Sequence, residues 1–195
     1  MSDKAKTGLF FGSFNPIHTG HQILAEYMVE YAGLKEVWFV VSPQNPLKEK
    51  KSLLADYHRL AMVNIAVEDD ARLRSCNIEF KMPQPSYTID TLTYLSEKHP
   101  ERHFVLIGGM DILPSFHKWK NYEELLKLYE IYIYNRPNYE AGEYKDHPSI
   151  KFYNAPLLEI SASFIRESIR AGKDMKYMLP PRVYEYIREM HFYEK

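Results

Sequence analysis

Two histidines three residues apart, His18 and His21, follow the turn Gly12-Ser13-Phe14-Asn15-Pro16. Their spacing is about one helical turn, so both imidazoles can address one ligand. Before the turn runs a short apolar stretch, Gly8 to Phe11, of strand length. After it, Ile23, Leu24, Tyr27, Met28 and Tyr31 form a helical stripe. A strand, a glycine-bearing turn and a helix make a natural anion site, because the helix N-terminus offers unpaired N–H groups and a partial positive charge. Taken alone, the histidines could also cap and pack the helix, or begin a zinc site. Zinc wants three or four protein ligands, and no further His or Cys cluster completes such a set.

A second candidate lies near the other end, Ile160-Ser161-Ala162-Ser163-Phe164-Ile165-Arg166. Two hydroxyls at a helix start can donate to an anion, and Arg166, three residues after Ser163, falls on the same face. An ordinary serine cap beside an exposed arginine is the competing reading.

The bulk of the chain sets bounds. Its 195 residues suit one domain with a full core, and the net charge of −1 gives no basic track for nucleic acid or a membrane surface. No run reaches transmembrane length, and the polar start lacks an apolar signal core. Cys76 stands alone, so it forms no internal disulfide and reads as a small buried residue. A soluble cytoplasmic protein that binds neither nucleic acid nor membrane is the expectation.

The elements that must position these motifs alternate. After the first helix, with Gly33 as its stop, the sequence predicts a strand at Glu36–Val41, a basic loop with Lys48, Lys50 and Lys51, and a helix over Leu53–Val67. A ragged strand follows over Ala71–Phe80, then a helix from Tyr87 that Ser86 can cap. Strands at His103–Ile107, Ile131–Tyr134 and Ile150–Tyr153 frame a helix over Tyr122–Leu128, and Asn138–Ser149 reads as a surface loop. A helix opens at Ser161 and stops at Gly172, and Pro181 begins the last one. Alternating elements predict an α/β fold, a doubly wound, mostly parallel sheet covered on both faces. Right-handed crossovers then place the loops after Phe11, Val41, Ile107 and Tyr134 along one sheet edge, and the chemically suggestive residues sit in those loops.

Gly-Ser-Phe-Asn-Pro-Ile-His-Thr-Gly-His resembles the signature of the nucleotidyltransferase superfamily with a His-x-Gly-His motif, and Ser161-x-Ser163-x-x-Arg166 is similar to its second motif. Ser86-Tyr87-Thr88-Ile89-Asp90-Thr91-Leu92 resembles a segment of the bacterial nicotinate mononucleotide adenylyltransferase family. So do Ile107-Gly108-Gly109-Met110-Asp111 with Phe116, Trp119 and Lys120, and the tail through Tyr177, Pro180 and Tyr186-Ile187. Lys48, Arg59 and Met62 also match. The likeness runs from about Gly8 to Ile187. Two motifs depart from the common pattern: Gly-Ser-Phe-Asn stands where many members have Gly-Gly-Thr-Phe-Asp, and Ser161-Ala162-Ser163-Phe164 where Ser-Ser-Thr is common.

The resemblance implies a Rossmann-like nucleotidyltransferase fold over residues 1–195, with a helical part at about 160–195 carrying the second motif. It implies adenylyl transfer from ATP to nicotinate mononucleotide, with Mg²⁺ accompanying ATP and no protein side chain dedicated to the metal. Gly12, Ser13, Phe14, His18, His21, Gly108, Asp111, Ser161, Ser163 and Arg166 would meet ATP, with His18, His21 and Arg166 catalytic. Lys48, Tyr87, Thr88, Trp119 and Arg136 would meet the acceptor. Nicotinamide mononucleotide, phosphopantetheine, a nucleotide-sensing module and a metal-dependent hydrolase are the alternatives. The oligomeric state stays open.

Overall fold

A computed structural model describes residues 4–43, 53–156 and 158–194. Lys48, assigned above to the acceptor, lies outside the described residues, as do Lys50 and Lys51.

Six strands form one sheet in the order β3-β2-β1-β4-β5-β6. They are β1 (Lys6–Gly12), β2 (Glu36–Val41), β3 (Leu73–Cys76), β4 (His103–Gly109), β5 (Glu130–Tyr134) and β6 (Ile150–Tyr153). Every pairing among them is parallel, as in Phe10 opposite Phe39 and Leu9 opposite Leu106. The order reverses beside β1: the chain winds outward through β2 and β3, then returns to add β4, β5 and β6 on the other side. Such a switch point opens a crevice beyond the strands' carboxyl ends, where α/β sheets bind ligands.

Each face buries alternate side chains of the strands. On one, Phe10, Phe39, Ile107 and Tyr132 pack under α1 (Thr19–Ala32), α2 (Asp56–Val67), α5 (Ala162–Arg170) and α6 (Pro181–Glu189). On the other, Leu9, Trp38, Leu106 and Ile131 pack under α3 (Thr88–Lys98) and α4 (Tyr122–Leu128). Burial on both faces explains why β2 reads as an unbroken apolar run rather than an alternation. The expected stop of α1 is a left-handed Gly33 (φ 71°), a conformation that costs a glycine little.

Three expectations are corrected. The strand drawn over Ala71–Phe80 ends at Cys76, and Ile78–Lys81 turns into a short 3₁₀ helix that sends Glu79 inward. The helix drawn from Leu53 begins at Asp56, because Ala55 remains extended (φ −52°, ψ 143°). The 138–149 loop is not wholly superficial: Tyr144 is buried, its ring 5.8 Å from that of Phe116.

Candidate active site at the sheet's carboxyl edge

The turn after β1 is shaped from beneath by a buried cation. Arg59, on α2, has no exposed surface. Its Nη1 donates to the carbonyls of Ser13 (2.5 Å) and Ser42 (2.8 Å), its Nη2 to the carbonyl of Pro43 (3.2 Å), and its Nε to that of Leu54 (3.0 Å). Asp56 meets the same guanidinium at 2.6 Å. A trans peptide holds C=O and N–H antiparallel, so a Ser13 carbonyl turned toward Arg59 turns the Phe14 N–H away from it. Phe14 sits in the left-handed region (φ 45°) and is held there by its ring, which packs edge-on against Phe39 (5.5 Å) and His21 (5.1 Å). Its side chain is core, and its backbone is what a ligand at this turn can meet.

His18 is the N-cap of α1, and its backbone N–H donates to Nδ1 of His21 at 3.2 Å. A neutral His21 whose Nδ1 accepts carries its proton on Nε2. The two rings stack, with centroids 3.7 Å apart and planes 25° from parallel. Capping and facing a ligand are thus compatible here, since His18 caps through its backbone while the imidazoles lie face to face. Burial, reinforced by the Arg136 guanidinium, lowers His18 from the usual imidazole range to about 4. Burial, then His18, then Arg136 push His21 well below its usual range. Both rings are neutral at pH 7. Gly20 makes room for this arrangement: a Cβ there would come within 3.1 Å of His18 Nδ1, a buried nitrogen without a hydrogen-bond partner among the described residues.

Across the same cleft stand Tyr134 and Arg136, at the end of β5. The Arg136 guanidinium lies over the Tyr134 ring (5.1 Å), donates to its hydroxyl (3.2 Å) and faces Asp111 at 3.6 Å. Sequence reasoning put Arg136 with the acceptor; in the fold it shares a cleft with His18 and His21 and faces Asp111, all candidates for ATP.

The second motif is drawn onto the first. Ser161 caps α5 by accepting from the Phe164 N–H at 3.1 Å. Arg166 donates to Ser163 Oγ (3.2 Å) and, across 151 positions of chain, to the carbonyl of Asn15 (2.8 Å). Asn15 Oδ1 in turn accepts from Leu54 N–H (3.3 Å) and from the Tyr193 hydroxyl (2.9 Å), which ties the C-terminal end to the turn.

The remaining candidates lie at the exit of β4 and the start of α3. A 3₁₀ stretch, Met110–Lys118, leads from β4 to Trp119, whose half-exposed ring leans on Phe116 (5.2 Å). Lys120 reaches back to α3, with its ammonium 4.7 Å from the Tyr87 ring centroid and 2.8 Å from the Asp90 carboxylate. Ser86 does not cap α3: its hydroxyl donates to Glu79 Oε2 at 2.9 Å, and the N-cap position is Tyr87, with no side-chain cap.

Sequence reasoning gave no role to Arg59, Glu79 or the Lys120–Asp90 pair. For Arg59 a signal existed in Asp56 three residues before it; for Glu79 there was none, since its partners lie 7 and 12 residues on. Among the described residues, no group of three or more His, Cys, Asp or Glu is placed to hold a metal ion. No helix among them is long and apolar enough to cross a membrane.

Comparison with known proteins finds relatives over nearly the whole chain. Residues 9–168 match the Cytidylyltransferase-like family. A Flavobacterium johnsoniae protein named nicotinate-nucleotide adenylyltransferase is 50% identical over 192 residues, covering 97% of this chain and 100% of its own. One of the same name from Christiangramia forsetii is 51% identical over 191 residues, covering 97% and 98%. Among solved structures, Plasmodium falciparum nicotinic acid mononucleotide adenylyltransferase complexed with NaAD superposes with a TM-score of 0.80 at 22% identity, over 97% of each chain. That likeness establishes the shared fold.

Proposed function

Since the chain belongs to the nicotinate-nucleotide adenylyltransferase family, we propose that it moves the adenylyl group of ATP onto nicotinate mononucleotide, releasing pyrophosphate and forming nicotinate adenine dinucleotide. The observation that carries this reading is the junction of two phosphate motifs, His18/His21 and Ser163/Arg166, through the Asn15 carbonyl at the sheet's switch point.

The acceptor is a phosphate monoester whose second pKa lies near 6, so it reaches the site largely as a dianion. Its oxygen attacks the α-phosphorus in line, and the bond to the pyrophosphate oxygen breaks. No protein nucleophile or strong base is required, so catalysis rests on positioning and on donors aimed at growing charge. The His21 Nε2–H and the His18 imidazole supply uncharged donors, Arg166 with Ser161 and Ser163 grips the phosphates, and the backbone of Gly12, Ser13 and Phe14 lines the turn. Gly108 and Asp111 take the adenosine. Arg136 stands between Asp111 and the histidines, so we assign it to the nucleotide side as well as the acceptor. Mg²⁺ would accompany ATP and neutralise charge on its phosphate oxygens, keeping mostly phosphate and water ligands. The whole chain acts as one nucleotidyltransferase domain.

For the acceptor, Trp119 offers a flat face for the pyridine ring. The amides at Tyr87 and Thr88, at the start of α3, suit a carboxylate. Asp90, which would repel that anion, is engaged by Lys120. An amide in place of the acid would meet donors with its own NH₂, a mismatch that discriminates. Pyrophosphate release measured with ATP and each of nicotinate mononucleotide, nicotinamide mononucleotide and phosphopantetheine tests the reading. We expect kcat/KM for the nicotinate form to lead by at least about tenfold. Equal or reversed preference overturns the acceptor assignment; no turnover with any acceptor overturns the reaction.

A further inference from the structure

Glu79 is a buried carboxylate, 2% exposed, to which the reaction above gives no task. It forms no ion pair among those of the described residues; hydroxyls meet it instead. Ser86 Oγ donates to its Oε2 at 2.9 Å and Thr91 Oγ1 to its Oε1 at 2.8 Å. Its backbone carbonyl accepts from Gln84 Nε2 at 2.8 Å and from the Met82 N–H at 3.3 Å. One residue therefore grips the connection before α3 and the first turn of α3 itself, on both sides of Tyr87 and Thr88.

The grip also redirects a side chain. A serine just ahead of a helix ordinarily turns its hydroxyl onto the first-turn amides. Here Ser86 is held on Glu79, and α3 begins without a side-chain cap. The acidic residue of that first turn, Asp90, is likewise drawn off by Lys120.

We infer that Glu79 is a positioning residue for the acceptor: by clamping Ser86 and Thr91 it fixes Tyr87 and Thr88 and keeps the Ser86 hydroxyl from competing with the substrate's carboxylate. The inference rests on the acceptor reading given above.

The test is a double-mutant cycle scored by separate KM values for nicotinate mononucleotide and ATP. Glu79→Ala raises KM for the mononucleotide by about tenfold, roughly the cost of losing one well-placed charged contact, with KM for ATP within about twofold of wild type. Ser86→Ala removes the competing hydroxyl, so in the double variant KM for the mononucleotide recovers in part, and what remains is the lost clamp on Thr91. Glu79→Gln keeps the shape and one accepting oxygen. Where Glu79→Ala does not fold, Glu79→Gln is scored in its place and gives an intermediate KM that Ser86→Ala again lowers. No recovery on adding Ser86→Ala, or a parallel rise in both KM values, overturns the inference and leaves Glu79 a packing residue. Wild-type enzyme that ignores the nicotinate acceptor is a separate result, which removes the acceptor reading itself.

Discussion

Replacing Arg59 with methionine keeps much of the side chain's length and removes every donor. Four carbonyls then lose a charged partner: Ser13, Ser42, Pro43 and Leu54. A buried acceptor left unpaired costs about 1 kcal/mol or more, so the four together give a loss of about 4 kcal/mol. The Asp56 ion pair adds little, because that carboxylate is 46% exposed and regains water. For a chain of this size 1 kcal/mol moves Tm by about 2–4 °C, so Arg59→Met should melt about 8–16 °C lower. Arg59→Lys keeps the charge but not the planar fork, and should fall between. Calorimetry gives Tm, and kinetics on the folded variants at 25 °C gives the functional half. Since Arg59 sets the Ser13–Phe14 peptide, KM for ATP should rise while KM for the mononucleotide holds. A Tm within about 3 °C of wild type, or unchanged KM for ATP in Arg59→Met, would refute the claim that this guanidinium shapes the turn.

His18→Ala and His21→Ala should each lower kcat by on the order of 10²–10³, as loss of a preorganised donor does elsewhere; steady-state rates on variants with native circular dichroism decide it. Acidification should destabilise the protein through the same pair. Folded His18 titrates at about 4 rather than near 6.5, so between those values the unfolded chain holds more protons and stability falls as pH drops. Thermal melts from pH 7 to 4 should show His18→Gln with a shallower slope than wild type; equal slopes would contradict the burial argument. Arg166→Lys should weaken ATP binding by calorimetry although the charge remains, because the fork that spans Ser163 and Asn15 is lost.

The sheet and its helices were legible because their signals were local. An apolar run between turn residues marks β2, and α4 matches its expected bounds, Tyr122–Leu128. Placement of the loops followed from alternation and crossover handedness alone. What stayed hidden depends on partners distant in sequence. Ser86 carries the ordinary mark of a cap, and only the inward turn of Glu79 after β3 cancels it. Arg166 could be read as sharing a face with Ser163. Its bond to Asn15 closes a loop of 151 positions that no spacing encodes. Tyr144 lies in a polar stretch whose composition says loop, yet the ring finds Phe116. Arg136 followed a strand end, but its neighbours, Asp111 from the 3₁₀ stretch after β4 and the histidines of α1, come from segments that no spacing connects to it.

The division of charge at the site has its own logic. Two polyanions must be brought together, which argues for cations, yet a surplus of exposed cations in a small crevice would repel one another when the site is empty. The structure resolves this by giving each arginine a protein acceptor to rest on. Arg59 is committed to carbonyls beneath the turn, Arg136 to Asp111 and the Tyr134 hydroxyl, and Arg166 to Asn15 and Ser163. The histidines, being neutral, add donors without adding charge. Burial first, then Arg136, hold His18 so, and burial, then His18, then Arg136 hold His21 so. A lysine or arginine in their place would add a further charge to the crevice and would need a protein acceptor of its own, as Arg166 needs the Asn15 carbonyl.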